Sequence, residues 1–499
     1  TPIVDKLRRL LMAKTTLNNI DPQRVLHYFE EISQIPRCSG HEAALRDYLK
    51  KFAETHQLAW QEDRVGNLVI RKPGTPSLED SPTVVLQGHM DMVCEKNTDT
   101  KHDFLNDPIK LKVDGDWLRA EGTTLGADNG VAVAMGLAVL ESETIEHGPL
   151  EVLLTVDEES GLTGALELDT TLISGKILVN IDSEEEGTFY IGCAGGVTTT
   201  GMIPVEWTET PSDIRHFKLS VKGLKGGHSG GDIHEQRGNA VKIAARILWE
   251  LKEKLNLRIS GLKGGGLHNA IPRETFASFC VPAEQSDQAR EIFSEQAEAI
   301  KTEFGSREPD LKIELTTADA APSRVLSAKA GAKTIDCLLI MPHGVDEMSE
   351  TIPGLVETST NLAAAELLDH EVKVLTSQRS SSISKRDYIA ARVTTVLRSA
   401  GAKVSYRSIY PAWTPDPENP LVPIFKNTYE SISGQKAQVT AIHAGLECGV
   451  IGDKFQGMTM ISFGPDLREV HTPAEQLNLP SLKRSWDLLL RVLKELAKK

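Results

Sequence analysis

No C-x-x-C pair, no cysteine cluster and no long apolar run occurs in this 499-residue chain. Its six cysteines, Cys38, Cys94, Cys193, Cys280, Cys337 and Cys448, stand singly. Such scatter excludes a zinc ribbon and a disulfide framework. It is the pattern of a reducing compartment, so the expectation is six small, mostly buried thiols in a cytoplasmic protein. The longest apolar stretch, residues 130–140, is shorter than the roughly 18 residues a membrane span needs, so no membrane partner is expected. Basic residues are in deficit: 55 Lys and Arg stand against 70 Asp and Glu, a formal charge of −15. That deficit excludes broad attraction to a nucleic-acid backbone, and aromatics, at 5%, offer no aromatic-basic surface for stacked bases. The remaining balance, 40% hydrophobic and 25% charged, is that of a globular protein. At about 150 residues per domain, the length suits two to four folding units.

Residues 1–17 carry Lys6, Arg8, Arg9 and Lys14 against Asp5, with Val4, Leu7, Leu10 and Leu11 at helical spacing. This predicts a surface helix packed by its apolar stripe, in preference to a transit peptide, because Ser is absent. Asp21-Pro22 reads as N-cap and first residue of a helix through Phe29, and a second helix is expected over 41–55. Apolar runs at 68–70, 84–86, 150–156 and 177–181 then alternate with helical patterns such as 130–140. Buried strands alternating with helices predict an α/β layered domain. After Gly195-Gly196 the texture changes. Strands are expected at 217–221, 275–281, 311–316, 372–375 and 404–408, and helices at 239–254, 286–304, 323–340 and 384–399. Two strand-helix-strand-strand-helix-strand sets of this kind are ferredoxin-like, so residues 196–398 are expected to be an inserted domain between a first part, 1–195, and a second part, 399–499, of the α/β domain.

Metal-type ligands follow apolar runs at four places. Residues 84–88 lead into His89 and Asp91, 150–156 into Glu158 and Glu159, 177–181 into Asp182, and 460–464, after a loop, into His471. Asp128 opens a helix. In α/β sheets, sites gather beyond the carboxyl ends of strands, so these groups are placed to converge. Each alone is weak, since adjacent glutamates are commonly a solvated pair and a lone His is commonly a loop residue. Five metal-type ligands in five comparable strand-end or helix-start positions are more informative. Two divalent cations bring +4; ionised Asp128, Glu159 and Asp182 with a bridging hydroxide bring −4. Mixed imidazole and carboxylate ligation suits zinc, with manganese or cobalt as alternatives.

The stretches GHMDMV from Gly88, GTTLGADNG from Gly122, GPLEVLLTVDEESG from Gly148, NIDSEEEG from Asn180, GLKGGHSGGDIH from Gly223, NAIPRE from Asn269 and HAGLECG from His443 resemble the di-zinc metallopeptidase family of aminoacylases, glutamate carboxypeptidases and dipeptidases. The resemblance implies a mixed-sheet catalytic domain carrying an inserted α+β lid, and two zinc ions per chain. It makes Asp128 the bridging ligand, puts His89 and Asp182 on one metal and Glu159 and His471 on the other, and makes Glu158 the general base. Asp91 would orient His89, and the Asp128–Asn129 peptide would be cis. His228 would donate to the oxyanion, Arg379 would take a free carboxylate with Arg273 as its rival, and Asn269 and Gly445 would contact substrate. The implied reaction is hydrolysis of unblocked dipeptides with broad specificity, aminoacyl-histidine types included. The alternatives are an N-acyl amino acid amidohydrolase, a tripeptidase, or a non-catalytic metal-binding protein. Small peptides are the expected partners, and a homodimer is left open.

Overall fold

The computed structural model describes residues 17, 19–318 and 320–498. The helix expected over residues 1–17 lies, apart from Leu17, outside them. The chain divides into two compact units: Cys193–Thr414 with Ile442–Leu446 form the second, and the rest of the described residues the first.

The described residues of the first unit build an eight-stranded sheet. Its strands lie in the order Ala59–Glu62, Leu68–Lys72, Leu150–Thr155, Val84–His89, Ile177–Asn180, Thr459–Ser462, Thr188–Cys193 and Gln438–Ile442. Its centre is parallel: Val84–His89 runs with both Leu150–Thr155 and Ile177–Asn180, and the latter runs with Thr459–Ser462. Val84–His89 and Leu150–Thr155 are buried along their whole length, as strands covered on both faces must be. Register pairs His89 with Thr155 and Gln87 with Asn180, so these strands end at one edge. Helix Ala127–Glu141 is apolar on all sides beyond Asn129 and buried accordingly. Helix Leu479–Leu496 instead buries one stripe, and the Asn478 side chain caps it by accepting the Ser481 N–H. Phe425 stacks edge-on against Phe189 and Phe463, at centroid distances of 5.5 and 5.6 Å. These rings join the segment after the second unit to strands before and beside it.

Two local expectations are corrected here. Asp21 does not cap the first helix: the Asp21–Pro22 peptide is cis, and the helix is Gln23–Ile32 with Pro22 at the N-cap. The expectation of six free thiols also fails, because Cys38 and Cys94 form a disulfide with Cα atoms 5.7 Å apart. The pair is 56 residues apart in sequence, but Cys38 bridges to Met92, so the loop after the first helix runs beside the loop after the central strand. The other four cysteines are buried and free.

In the second unit the described residues form a nine-stranded sheet. Eight strands follow the order Lys312–Thr317, Ile214–Lys222, Thr275–Pro282, Arg258–Gly265, Val356–Leu367, Glu371–Ser380, Gly195–Pro204 and Lys403–Tyr410, and Gly344–Met348 pairs with Val356–Leu367. The first four, with helices Ala240–Lys254 and Ser286–Phe304, make one strand-helix-strand-strand-helix-strand set. The last four, with Ala328–Ile340 and Ile383–Ser399, make another, split in sequence by the first. The helix expected over 323–340 is shorter, because Arg324–Leu326 is a strand and Ser327 caps helix Ala328–Ile340 by accepting the Ala330 N–H.

Candidate metal centre

Backbone geometry delivers each ligand candidate to the carboxyl edge of the first unit's sheet. His89 is the last residue of its strand, and Asp182 lies two residues beyond Ile177–Asn180. Glu158 and Glu159 follow Leu150–Thr155 through a turn in which Asp157 takes φ +52°. Asp128 sits at the mouth of helix Ala127–Glu141 with non-helical φ −80° and ψ 106°, and the Asp128–Asn129 peptide is cis. His471 comes three residues after the short strand Leu467–Arg468, which itself follows the sheet's Thr459–Ser462 strand.

Two triads result, and they share one residue. His89 Nε2 lies 3.0 Å from Asp128 Oδ1 and 3.4 Å from Asp182 Oδ1. His471 Nε2 lies 3.2 Å from Asp128 Oδ2 and 3.0 Å from Glu159 Oε2. Ligand atoms within each triad fall within 4.8 Å of one another, and so do those of His89, Glu158 and Glu159. Asp128 thus turns one oxygen to each imidazole, the arrangement a bridging carboxylate needs.

Charge in this pocket is unbalanced. Burial raises Glu158 well above the ordinary carboxylate range, with Asp182, Glu159 and Glu447 adding to the rise. Burial and then Asp128 push Glu159 up to about 7. Asp128, although buried, is held below its usual range by hydrogen bonds from His471 and His89. His471 is pushed up to about 11 by its bonds to Asp128 and Glu159. Imidazole and carboxylate thus favour one another's charged forms in this pocket. Nitrogen and oxygen donors in two triads, with Glu159 Oε1 buried and without a hydrogen-bond partner among the described residues, fit two borderline divalent ions.

That charge set gives an expected pH dependence. His471 must lose its proton before its nitrogen can hold a metal, and in the metal-free chain that proton stays on up to about pH 11. Apparent zinc affinity should therefore rise about ten-fold per pH unit for each proton released and fall on acidification. Calorimetric titration of metal-stripped protein between about pH 6 and 8 measures this, and flat affinity would contradict it.

The supports of the centre are as buried as its ligands. Asp91 is fully buried, and its Oδ1 lies 3.2 Å from His89 Nδ1. The same carboxylate accepts the backbone N–H groups of Glu158 and Glu159 at 3.1 and 3.2 Å, and the Ser39 hydroxyl at 2.7 Å. Asp91 thus holds both the imidazole and the turn that carries the two glutamates. Beneath them Glu447, fully buried, accepts from Gln87 and from Thr155, each at 2.6 Å. Arg37 and Glu475 grip the segment leading to Asp128. The motifs alone do not single out Arg37, Glu447 or Glu475. Glu447 and Glu475 lie inside the stretches HAGLECG and EVHTPAEQ, which is the signal the sequence offers for them.

The other candidates belong to the second unit, where they are neighbours. The Ser229 N–H, next to His228, donates to the Asn269 carbonyl at 2.7 Å, and His228 bridges to Ala270. His228 Nδ1 accepts from the Gly231 N–H at 3.1 Å. Arg379 is 7% exposed and donates to the Tyr410 hydroxyl at 3.0 Å. Gly445 faces that same ring, and a Cβ there would come within 2.9 Å of it. Arg273, the rival anion site, lies across Gly226 and donates to the Leu224 carbonyl.

Residues 85–495 match peptidase family M20/M25/M40. The chain is 41% identical over 483 residues to the cytosol non-specific dipeptidase of Escherichia coli (strain K12), a match spanning 97% of this chain and 99% of that protein. The crystal structure of the aminoacylhistidine dipeptidase from Vibrio alginolyticus superposes with a TM-score of 0.88 at 40% identity, covering 98% of this chain and 99% of that one. A tripeptidase of Staphylococcus aureus subsp. aureus Mu50 shares the fold at 19% identity, with a TM-score of 0.57 over 96% of this chain and 100% of that one.

Proposed function

As the chain belongs to peptidase family M20/M25/M40, we propose that it is a metal-dependent dipeptidase that cleaves unblocked dipeptides with broad specificity, aminoacyl-histidine types included. The observation that carries this reading is the pair of ligand triads sharing Asp128, with Glu158 grouped beside them but outside both. His89, Asp128 and Asp182 would hold one ion and Asp128, Glu159 and His471 the other, zinc in the first instance and cobalt or manganese as substitutes. Such ions, when bound, polarise the scissile carbonyl and lower the pKa of the attacking water towards about 7.

The remaining work falls to the chain. Glu158 takes a proton from the water and later hands it to the leaving amine. A carboxylate grouped with the ligand candidates can carry a proton between these two steps. Asp91 fixes the two backbone N–H groups from which Glu158 and Glu159 depart, so base and ligand keep separate directions. His228 donates to the oxyanion, Arg379 binds the free carboxylate, and Asn269 and Gly445 position the peptide.

Among the described residues, no helix is long and apolar enough to cross a membrane. A cytoplasmic site of action is proposed on the strength of the Escherichia coli relative's name alone, because the Cys38–Cys94 bond removes the argument from scattered thiols. The test is a substrate panel. Unblocked dipeptides should be cleaved at least about ten-fold faster than tripeptides or N-acyl amino acids, the scale at which one misplaced group discriminates. Preference for N-acyl substrates would replace this reading with the amidohydrolase one.

A further inference from the structure

We propose that Glu475 and Arg37, which are not ligand candidates, set the affinity of the centre for its metals by fixing the backbone that carries Asp128. The proposal rests on the reading that the two triads hold divalent ions. Glu475 is 2% exposed. One of its oxygens accepts the N–H groups of Leu125 and Gly126 at 2.7 and 2.9 Å; the other accepts those of Ala127 and Asp128 at 2.8 and 3.3 Å. Four consecutive N–H groups converge on one carboxylate. Arg37, also 2% exposed, grips the opposite polarity. Its guanidinium donates to the carbonyls of Met90 and Asp91, each at 3.0 Å, and to that of Gly126. Gly126 therefore gives its N–H to the anion and its carbonyl to the cation. Its φ of +70° allows this, and a Cβ there would lie 2.6 Å from Arg37 Nη2.

Buried charges are a weak source of stability, since apolar side chains of similar volume commonly do as well. What the two charged groups supply is orientation: together they hold the peptide units of residues 125–128 in one setting. Asp128 is the residue common to both triads, so a tilt of its backbone displaces a ligand of each ion. Glu475 stands four residues after His471, with its own N–H closing a turn onto Thr472. The loop that supplies one ligand thus also clamps the segment that supplies the shared one. Arg37 adds the segment between His89 and Met92, so three ligand-bearing stretches meet at this pair.

The experiment measures zinc uptake by the metal-stripped full-length chain in competition with a chromogenic chelator. In Glu475→Gln, the amide turns an NH₂ towards two of the four N–H donors. Arg37→Lys keeps the charge and loses the planar fork. Both should bind zinc ten- to hundred-fold more weakly than the parent, the usual scale for groups that orient ligands. Glu151→Gln is the control. Glu151 is equally buried, accepts the Ser174 and Gly175 N–H groups and pairs with Arg71, and is in none of the ligand groups. It should lower the metal-free unfolding midpoint without changing zinc affinity. Parent-like zinc affinity in either test variant, failure of both to fold, or an equal loss of affinity in the control overturns the proposal. Two zinc equivalents in the parent test the underlying reading separately.

Discussion

Glu158→Gln is expected to lower kcat by about 10²–10⁴ while leaving two metals bound. The amide fills the same volume and cannot accept the water proton, so the loss should appear in kcat, with KM little changed. Glu159→Ala should do the reverse in metal analysis, because Glu159 Oε2 belongs to the triad with His471 and Asp128. Chelation of the parent should abolish hydrolysis, and zinc, cobalt or manganese should restore it. Chelated Glu158→Gln refilled with zinc should stay slow. Rapid hydrolysis by that refilled variant would move the proton to another group. Buried Glu447, with its carboxyl pushed up to about 7 by burial, would then be the next to examine.

These expectations are reachable from sequence because most of the ligand candidates, and the proposed base, follow strand ends, and strand ends show as apolar runs that stop. Val84–His89 opens on three apolar residues and Leu150–Thr155 is apolar but for Glu151 and Thr155, so His89 at the end of the first and Glu158-Glu159 just past the second stand out. The two long strands Val356–Leu367 and Gly195–Pro204 give no such signal, for the opposite reason. Their Thr, Ser and Gly residues confine apolar runs to short pieces such as Leu362-Ala363-Ala364-Ala365, yet cross-strand pairing buries most of both strands. The supports are harder to read, on different grounds. Arg37 and Glu475 act on the backbone of residues 125–128; the stretch EVHTPAEQ marks Glu475 as a neighbour of His471, but neither its neighbours nor those of Arg37 report a side chain that binds peptide groups 350 or 89 residues away. Cys38 and Cys94 carry no spacing signal either, since only the juxtaposition of two loops brings them together.

Arg379→Ala should raise KM for dipeptides by about 10²–10³ and leave kcat at saturation close to the parent value, because truncating one partner of a desolvated charge pair costs about 2–5 kcal/mol. Arg379 lies in strand Glu371–Ser380, between Gly196 and Ser359 on the neighbouring strands. It donates to the Tyr410 hydroxyl, and no carboxylate pairs with it among the described residues. Its Nε is buried without a hydrogen-bond partner among them. The uncompensated charge is felt nearby: burial and then Arg379 push His443 down to about 3, and His268 is lowered by burial, then by Arg379 and Arg407. A guanidinium held out of water without an anion is costly, and a substrate carboxylate would satisfy it bidentately. Arg379→Lys should recover only part of the loss, since an ammonium restores the charge but not the fork. Dipeptide amides supply the internal check. Without the carboxylate, they should be poor substrates for the parent and no poorer for Arg379→Ala. If the variant keeps the parent KM on free dipeptides, the carboxylate binds elsewhere, and exposed Arg273 inherits the role.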